Sequence, residues 1–288
     1  MTEPRYLAVK LLTKTFSSES YSNIQLNSGL DSSELDAKGK KLCSLLFYGV
    51  IERKLTLDHI ISGLSSRPIS KLDDVVLNIL RCGIYQLLFM DSIPDNAAVN
   101  ESVMLAKSFR KTSASGMVNA VLRNFIRSGK KLELPHPPDE AMSVKYSAPL
   151  WLVRKLSSEY GSELAENLLS DSLGKPPVTV RVNPALISDE KFSELWKNCG
   201  DISKSVLLPH CFHFSKSDPI HSDSFDSGFF HVQDLASQLC CTAVSPSEND
   251  TVLDICAAPG GKTTQIAAKL EGTGLIWSNE YVRSRAQI

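Results

Sequence analysis

The chain has 288 residues, of which 42% are hydrophobic and 22% charged, and its formal net charge is −1. This length favours two or three domains over one. No apolar run approaches the roughly 20 residues of a membrane-spanning helix, and the first residues, MTEPRYLAVKLL, lack the layout of a signal peptide. The composition therefore argues against a membrane protein and predicts a soluble protein of the cytoplasm.

The charge is unevenly divided along the chain. Residues 1–131 carry 18 Lys and Arg against 12 Asp and Glu, whereas the remaining residues carry 13 against 20. The first part thus has the sign needed to bind a polyanion such as RNA, although an ordinary solvated basic surface has the same composition.

The seven cysteines are spread between Cys43 and Cys256 and show no C-x-x-C pair. This spacing provides no set of metal ligands and fits a reducing compartment. We therefore expect no bound metal, and most of the cysteines are interpreted as small core residues.

The first part of the chain has the pattern of a helical domain. From Arg5 to about Lys130, apolar residues recur at spacings of three and four, as in KKLCSLLFYGVIERKL and GMVNAVLRNFIR, without strand-like alternation. This pattern predicts an all-α domain over residues 1–131. Breaks are expected near Pro68 and Pro94.

The last predicted helix of this domain has a basic side. Arg123 and Arg127 lie four residues apart, away from the apolar stripe, and Lys131 follows shortly after. We interpret these three residues as candidates for RNA binding. A solvated basic helix face is an equally supported alternative.

A linker and a small subdomain are predicted next. Pro135, Pro137 and Pro138 predict a linker, placed at 132–145. Helical patterns then precede a β-like run, PVTVRVN, a helix, SDEKFSELWKNCG, and a second β-like run, SVLLPHCFHF. This order predicts a small α+β accessory subdomain, which we place at 146–230.

The segment from Thr251 to Glu280 reads as a strand, TVLDIC, a glycine-containing turn, a helix, GKTTQIAAKL, and a second strand, GLIWSNE. This order is a β-α-β unit, right-handed by default, and predicts that residues 231–288 begin an α/β Rossmann-like domain. In such units a ligand lies beyond the carboxyl ends of the strands, against the N–H groups of the turn and of the helix start.

Three kinds of site compete for this turn. A P-loop requires a glycine where this chain has Cys256, and a dinucleotide site requires G-x-G-x-x-G, which AAPGGK does not supply. The remaining interpretation is a shorter, proline-containing turn that binds a carboxylate and an amine.

The segment LDICAAPGGKTTQIA resembles the S-adenosylmethionine-binding motif of the RNA 5-methylcytosine methyltransferases, the family of the Sun/Fmu and NOP/NSUN proteins. HVQDLASQL, KYSAPLWLVRKLSSEYG and VTVRVNP resemble further segments of this family. AVNESVMLAKSF and MVNAVLRNFIR resemble the NusB-type domain of bacterial 16S rRNA cytosine methyltransferases of the RsmB type. The resemblance covers nearly the whole chain and implies a multidomain fold: an all-α NusB-like domain, then an incomplete α/β methyltransferase domain with an α+β accessory subdomain.

The resemblance also implies the cofactor, S-adenosyl-L-methionine, and its ligands. The methionine carboxylate would lie at the helix start near Lys262, and Glu280 would accept hydrogen bonds from the ribose hydroxyls. The full set of implied cofactor-binding residues is Cys256, Ala257, Ala258, Pro259, Gly260, Gly261, Lys262 and Glu280.

Roles are also predicted for three further residues. Asp254 is expected to support the turn. Cys256 is expected to be a buried packing residue rather than a nucleophile. Arg181, the arginine of VTVRVNP, is placed with the three cations of the helical domain among the RNA-binding candidates.

The mechanism implied by the family requires a cysteine thiolate that adds to C6 of cytosine, and the family carries its two functional cysteines in D-A-P-C and P-C-S motifs. None of the seven cysteines here follows a proline, so no catalytic residue is assigned, and we expect an incomplete, inactive chain. The predicted function is that of an RNA cytosine-C5 methyltransferase, acting on 16S rRNA by resemblance, as a monomer and without a membrane. The alternative is a non-catalytic NusB-like RNA-binding protein with a vestigial cofactor turn.

Overall fold

The computed structural model describes residues 3–18, 21–174, 176–283 and 285–286. The chain divides into two compact units, residues 1–174 and 175–288. Among the described residues, no helix has the length and apolar character needed to cross a membrane.

The first unit is helical throughout its described part, which confirms the predicted all-α domain. Its helices are α1 (Glu3–Ser17), α2 (Ser22–Asp31), α3 (Ala37–Glu52), α4 (Lys54–Leu64), α5 (Asp74–Phe89), α6 (Asp95–Ser108), α7 (Ser115–Arg127), α8 (Pro138–Tyr146), α9 (Leu150–Tyr160) and α10 (Ser162–Asp171). Side chains from α1 to α7 form one core that includes Leu12, Phe47, Ile79 and Phe125. Helix α5 is buried on most sides and is the central element of this core.

Helix α8 begins at Pro138, inside the segment predicted to be an extended linker. Proline is tolerated in the first turn of a helix because its missing N–H would have no intrahelical partner there. The end of this helix is bonded to α4: Thr56 Oγ1 donates to the Val144 carbonyl at 2.6 Å, and the Leu55 N–H donates to Ser147 Oγ at 3.0 Å. The expectation that the prolines of this segment resist helix was therefore wrong from Pro138 onwards, because Pro138 stands in the first turn.

The second unit contains two sheets in its described part. Its elements are β1 (Val178–Val182), α11 (Asp189–Leu195), β2 (Ile202–Lys204), β3 (Cys211–Phe214), α12 (Asp223–Asp226), β4 (Phe230–Val232), α13 (Leu235–Val244), β5 (Thr251–Asp254), α14 (Gly261–Lys269) and β6 (Leu275–Ser278). The strand order is β2-β3-β1-β4 in an antiparallel sheet, and β5 pairs with β6 in parallel. The predicted α/β character is confirmed.

Strand β1 lies inside the four-stranded sheet and is covered on both faces. Val180 and Val182 pack with Phe192 in an apolar cluster, whereas Thr179 and Arg181 alternate with them and point to the opposite face. The strands β2 and β4 were not predicted from the sequence, because three residues are too few to show an alternation of apolar and polar side chains.

Asp189 forms a partly buried ion cluster beside this sheet. Its carboxylate is 9% exposed and accepts hydrogen bonds from Lys204 Nζ at 2.7 Å and from His210 Nδ1 at 2.8 Å. Burial alone would raise the pKa of Asp189, but the hydrogen bonds from Lys204 and His210 outweigh burial and lower it. The stabilisation is therefore present above the unfolded-state pKa of about 3.9 and is lost as the pH falls through the lower folded-state value.

We expect Asp189→Asn to reduce the free energy of unfolding of the second unit by about 1–2 kcal/mol at pH 7, since both partners are partly exposed. The difference from the unsubstituted chain should shrink as the pH falls below about 4. Urea unfolding followed by tryptophan fluorescence at pH 7 and pH 3 measures both values. An equal loss at the two pH values would show that the carboxylate charge is not the stabilising feature.

Candidate cofactor site

The strands β5 and β6 end at the same edge of their sheet because they run parallel. Asp254 lies opposite Ser278 in the register, so the turn that follows β5 and the residue Glu280 that follows β6 are neighbours. Gly274, just before β6, has a φ of +71°, and a Cβ atom there would lie 2.4 Å from the Asp250 carbonyl oxygen. The glycine therefore permits the close approach of the two strands.

Hydrogen bonds hold the turn between β5 and α14. Asp254 Oδ2 accepts a hydrogen bond from Thr263 Oγ1 at 2.7 Å, and its Oδ1 accepts one from the Cys256 N–H at 3.2 Å. The Ala257 N–H donates to the Asn279 carbonyl at 3.0 Å. Asp254 thus supports the turn, as the sequence suggested.

Gly260 precedes α14 with a φ of +105°, a conformation that glycine adopts without strain. A Cβ atom at Gly260 would meet no other atom within 4 Å, so the space above this residue is open. The first N–H groups of α14, which begins at Gly261, have no partner within the helix, and a carboxylate is a suitable ligand for them.

The turn and Glu280 line a pocket of about 310 Å³. Its described lining residues are Ala257, Ala258, Pro259, Gly260, Thr263, Thr264, Ser278, Glu280, Arg285 and Ala286. The structure therefore brings together five of the eight predicted cofactor-binding residues. The other three, Cys256, Gly261 and Lys262, are not among the described residues that line this pocket. The Lys262 side chain is exposed.

Glu280 is held against the turn. Its Oε1 accepts a hydrogen bond from the Val282 N–H at 3.0 Å, and its Oε2 accepts one from the Ala258 N–H at 3.3 Å. The Val282 N–H and the nearby Arg285 guanidinium lower the pKa of Glu280, so its carboxylate is ionised at neutral pH. The pocket thus combines hydrogen-bond donors at a helix start with an acceptor at Glu280.

Arg285 was missed by the sequence analysis. Its Nη2 donates to the Ala258 carbonyl at 3.2 Å, and its Nη1 lies 3.9 Å from Glu280 Oε1. Arg285 follows the last strand without any motif, so the sequence contains no local signal for this contact. Thr263 and Thr264, by contrast, stand within the glycine-containing segment that drew attention to the turn.

Cys256 is exposed, so its interpretation as a buried packing residue was wrong. That interpretation placed Cys256 at a strand end beneath the turn. In the described residues, Val252 and Ile276 pack against the helix side chains of Cys241, Ile266 and Leu270. The next side chains along the two strands point to the other face of the sheet and are open to solvent: Leu253 is 65% exposed and Trp277 is 62% exposed.

Arg181 is buried, with 7% of its surface exposed. Its Nε donates to Gln233 Oε1 at 2.8 Å, and its Nη2 donates to Thr264 Oγ1 at 3.1 Å. Burial lowers the pKa of this guanidinium. The side chain therefore points toward α14, the helix that follows the glycine-containing turn.

The three remaining RNA-binding candidates lie in the first unit and are exposed. Arg123 Nε donates to Asn119 Oδ1 at 2.9 Å, and the Arg127 guanidinium donates to Asn124. Among the described residues, no carboxylate pairs with Arg123, Arg127 or Lys131. Their charges are thus available to a partner.

Three family models match the chain. The NusB family model matches residues 2–127, the ferredoxin-like domain model of the RsmF/B-like methyltransferases matches residues 148–221, and the model of the 16S rRNA methyltransferases RsmB/F matches residues 241–288. The solved structure of PH0851 is similar over 99% of this chain and 65% of its own, with a TM-score of 0.70 and 20% identity. At this identity, the likeness concerns the fold.

Curated relatives are similar in sequence over most of this chain. The probable ribosomal RNA small subunit methyltransferase B of Bacillus subtilis (strain 168) is 30% identical over all of this chain and 64% of its own length. The ribosomal RNA small subunit methyltransferase B of Escherichia coli (strain SMS-3-5 / SECEC) is 32% identical over 80% of this chain and 53% of its own. The chain thus spans about two thirds or less of the length of these relatives. Residues 2–127 therefore match the NusB family and residues 241–288 match the 16S rRNA methyltransferases RsmB/F, and the chain is similar in sequence to small subunit methyltransferases B.

Proposed function

We propose that this chain is the donor-binding and RNA-binding part of an S-adenosylmethionine-dependent methyltransferase that modifies C5 of a cytosine in small-subunit rRNA. One observation carries the proposal: the turn before α14 and the Glu280 carboxylate line the same pocket, where β5 and β6 end. The names of the relatives in Bacillus subtilis and Escherichia coli support small-subunit rRNA as the substrate class.

The residues of the pocket suit the two polar ends of this cofactor. The N–H groups at the start of α14 bind the methionine carboxylate, since a helix start carries about half a positive charge. Lys262, exposed beside this helix start, adds a positive charge. Glu280 accepts hydrogen bonds from the ribose hydroxyls, because its carboxylate is ionised and faces the pocket. When bound, the cofactor supplies a methyl group on a sulfonium centre.

RNA binding is assigned to the helical domain at 1–131, through contacts of Arg123, Arg127 and Lys131 with phosphates. These cations are exposed and pair with no carboxylate in the described part of the chain, which supports this assignment. The proposal keeps the predicted divisions at 132–145, 146–230 and 231–288, a cytoplasmic location and a monomeric state.

No catalytic nucleophile is assigned to these 288 residues. Addition to C6 of cytosine requires a thiolate, and none of the seven cysteines stands in a D-A-P-C or P-C-S context. Cys256 is exposed beside the turn but follows Ile255, so we do not assign it this role. We therefore propose that the 288 residues bind donor and RNA without transferring the methyl group.

Two measurements on the 288-residue chain test this proposal. Equilibrium dialysis with labelled S-adenosylmethionine should show binding, and incubation with an unmodified small-subunit rRNA transcript should leave the RNA unlabelled. Label that enters the RNA and is lost in Cys256→Ser would overturn the assignment of this thiol. RNA binding without any binding of S-adenosylmethionine would favour the non-catalytic RNA-binding alternative.

A further inference from the structure

A buried cation that pairs with no carboxylate among the described residues lies beneath helix α14. Arg181 is 7% exposed, and its hydrogen-bond partners in the described chain are the neutral side chains of Gln233 and Thr264. Burying a charge opposite neutral acceptors costs free energy that a hydrophobic residue would not cost. The position of Arg181 in the central strand β1 thus calls for a role beyond filling space.

The bonds of Arg181 lead to the cofactor turn. Thr264 Oγ1 accepts the hydrogen bond from Arg181 Nη2 at 3.1 Å and donates its own hydrogen to the Gly261 carbonyl at 3.2 Å. Gly261 is the first residue of α14. A single hydroxyl therefore connects the buried guanidinium to the backbone of the first helical turn.

A network of glutamines surrounds this connection and fixes the guanidinium. Gln233 Oε1 accepts from Arg181 Nε, and Gln233 Nε2 donates to Gln265 Oε1 at 2.7 Å. Gln265 Nε2 donates in turn to the Gln238 carbonyl at 3.2 Å. All three glutamines are at most 8% exposed, so water does not compete for these bonds.

We propose that Arg181 is a positioning residue for the cofactor turn, acting through Thr264 to hold the first turn of α14 and the N–H groups that it presents. That these N–H groups bind S-adenosylmethionine rests on the proposed function. Their positioning by Arg181 does not depend on which ligand they bind. Two acceptors in different directions require the forked donors of a guanidinium, which a lysine ammonium does not reproduce. This role replaces the prediction that Arg181 contacts RNA.

Hydrogen exchange of the cofactor-free 288-residue chain tests the connection. Arg181→Met and Arg181→Lys should each accelerate exchange of the first hydrogen-bonded amides of α14, beginning with the Thr264 N–H, by about tenfold, because one charge-assisted hydrogen bond is lost. Exchange in the helical domain serves as the internal reference and should not change. Unchanged exchange at α14 in both variants would overturn the proposal.

Thr264 provides a second test that does not depend on a buried substitution. Its side chain is exposed, so Thr264→Val and Thr264→Ser leave the core of the unit intact. Thr264→Val should accelerate exchange at α14, whereas Thr264→Ser, which keeps the hydroxyl, should preserve most of the protection. The double variant Arg181→Met/Thr264→Val should exchange no faster than Arg181→Met, since both changes break the same connection. Additive effects would contradict action through Thr264.

Ligand affinities separate this proposal from the proposed function. Arg181→Lys should weaken binding of labelled S-adenosylmethionine by about tenfold and leave the affinity for an rRNA transcript unchanged. Weaker RNA binding with normal donor binding and normal exchange would instead identify an RNA contact and overturn the proposal. If the unsubstituted chain binds no S-adenosylmethionine but Arg181→Lys still accelerates exchange, the positioning role stands and the cofactor assignment fails.

Discussion

Replacing Arg123, Arg127 and Lys131 together by alanine is expected to weaken the binding of structured rRNA by roughly tenfold to a hundredfold at low salt. The three side chains are exposed and lack carboxylate partners in the described chain, so each is free to pair with a phosphate. Each lost phosphate contact removes close to one unit from the slope of log affinity against log salt concentration. The triple variant should therefore flatten this slope by roughly two to three units. Filter binding of an rRNA fragment over a salt series measures both quantities.

A matched control variant distinguishes RNA binding by a specific surface from an effect of net charge alone. Lys10, Lys38 and Lys41 are also exposed in the first unit, and their replacement by alanine removes the same charge from another part of it. This control should change the affinity less than the triple substitution of Arg123, Arg127 and Lys131 does. Equal effects of the two triple variants would show that only the total charge matters. An RNA affinity that changes neither with salt nor on replacement of Arg123, Arg127 and Lys131 would favour a solvated basic face.

Glu280→Ala is expected to weaken the binding of S-adenosylmethionine by at least about tenfold, the scale of hydrogen bonds to a charged group. The carboxylate lines the pocket, and it also holds the turn through the Ala258 N–H at 3.3 Å. Glu280→Gln retains one acceptor oxygen and a similar shape, so its loss of affinity should be smaller. Equilibrium dialysis with labelled cofactor measures both variants.

Glu248→Ala is the control for Glu280→Ala, since Glu248 is an exposed acid of the same unit outside the pocket. It should bind the donor as the unsubstituted chain does. Because the pKa of Glu280 is lowered, donor binding through its carboxylate should persist at pH 5 and fall only below about pH 4. An affinity unaffected by Glu280→Ala would remove this residue from the cofactor site.

The order of elements was readable from the sequence where local patterns decide it. The spacing of apolar residues predicted the helices of the first unit, and the sequence TVLDICAAPGGK followed by a helix predicted the turn between β5 and α14. Helix periodicity and the conformational freedom of Gly260 are properties of a short segment, which explains why these predictions succeeded.

The strand order of the four-stranded sheet in the second unit could not be predicted from local patterns. Its order, β2-β3-β1-β4, joins strands that are far apart in the chain, and two of them have only three residues. Pairing of this kind is determined by which side chains pack together, not by the local sequence.

Local sequence was sufficient to predict the helical domain, the β-α-β unit with its glycine-containing turn, and the basic side of α7. Three features became evident only in the folded chain: Arg181 points to Thr264, which lies 83 residues further along the chain, Arg285 reaches the turn, and Cys256 is exposed. The physical reason is that burial and hydrogen-bond partners depend on the face of the sheet that each side chain occupies. That choice is made when the sheets and helices pack together, because a buried polar group must then find its partner wherever the fold supplies one.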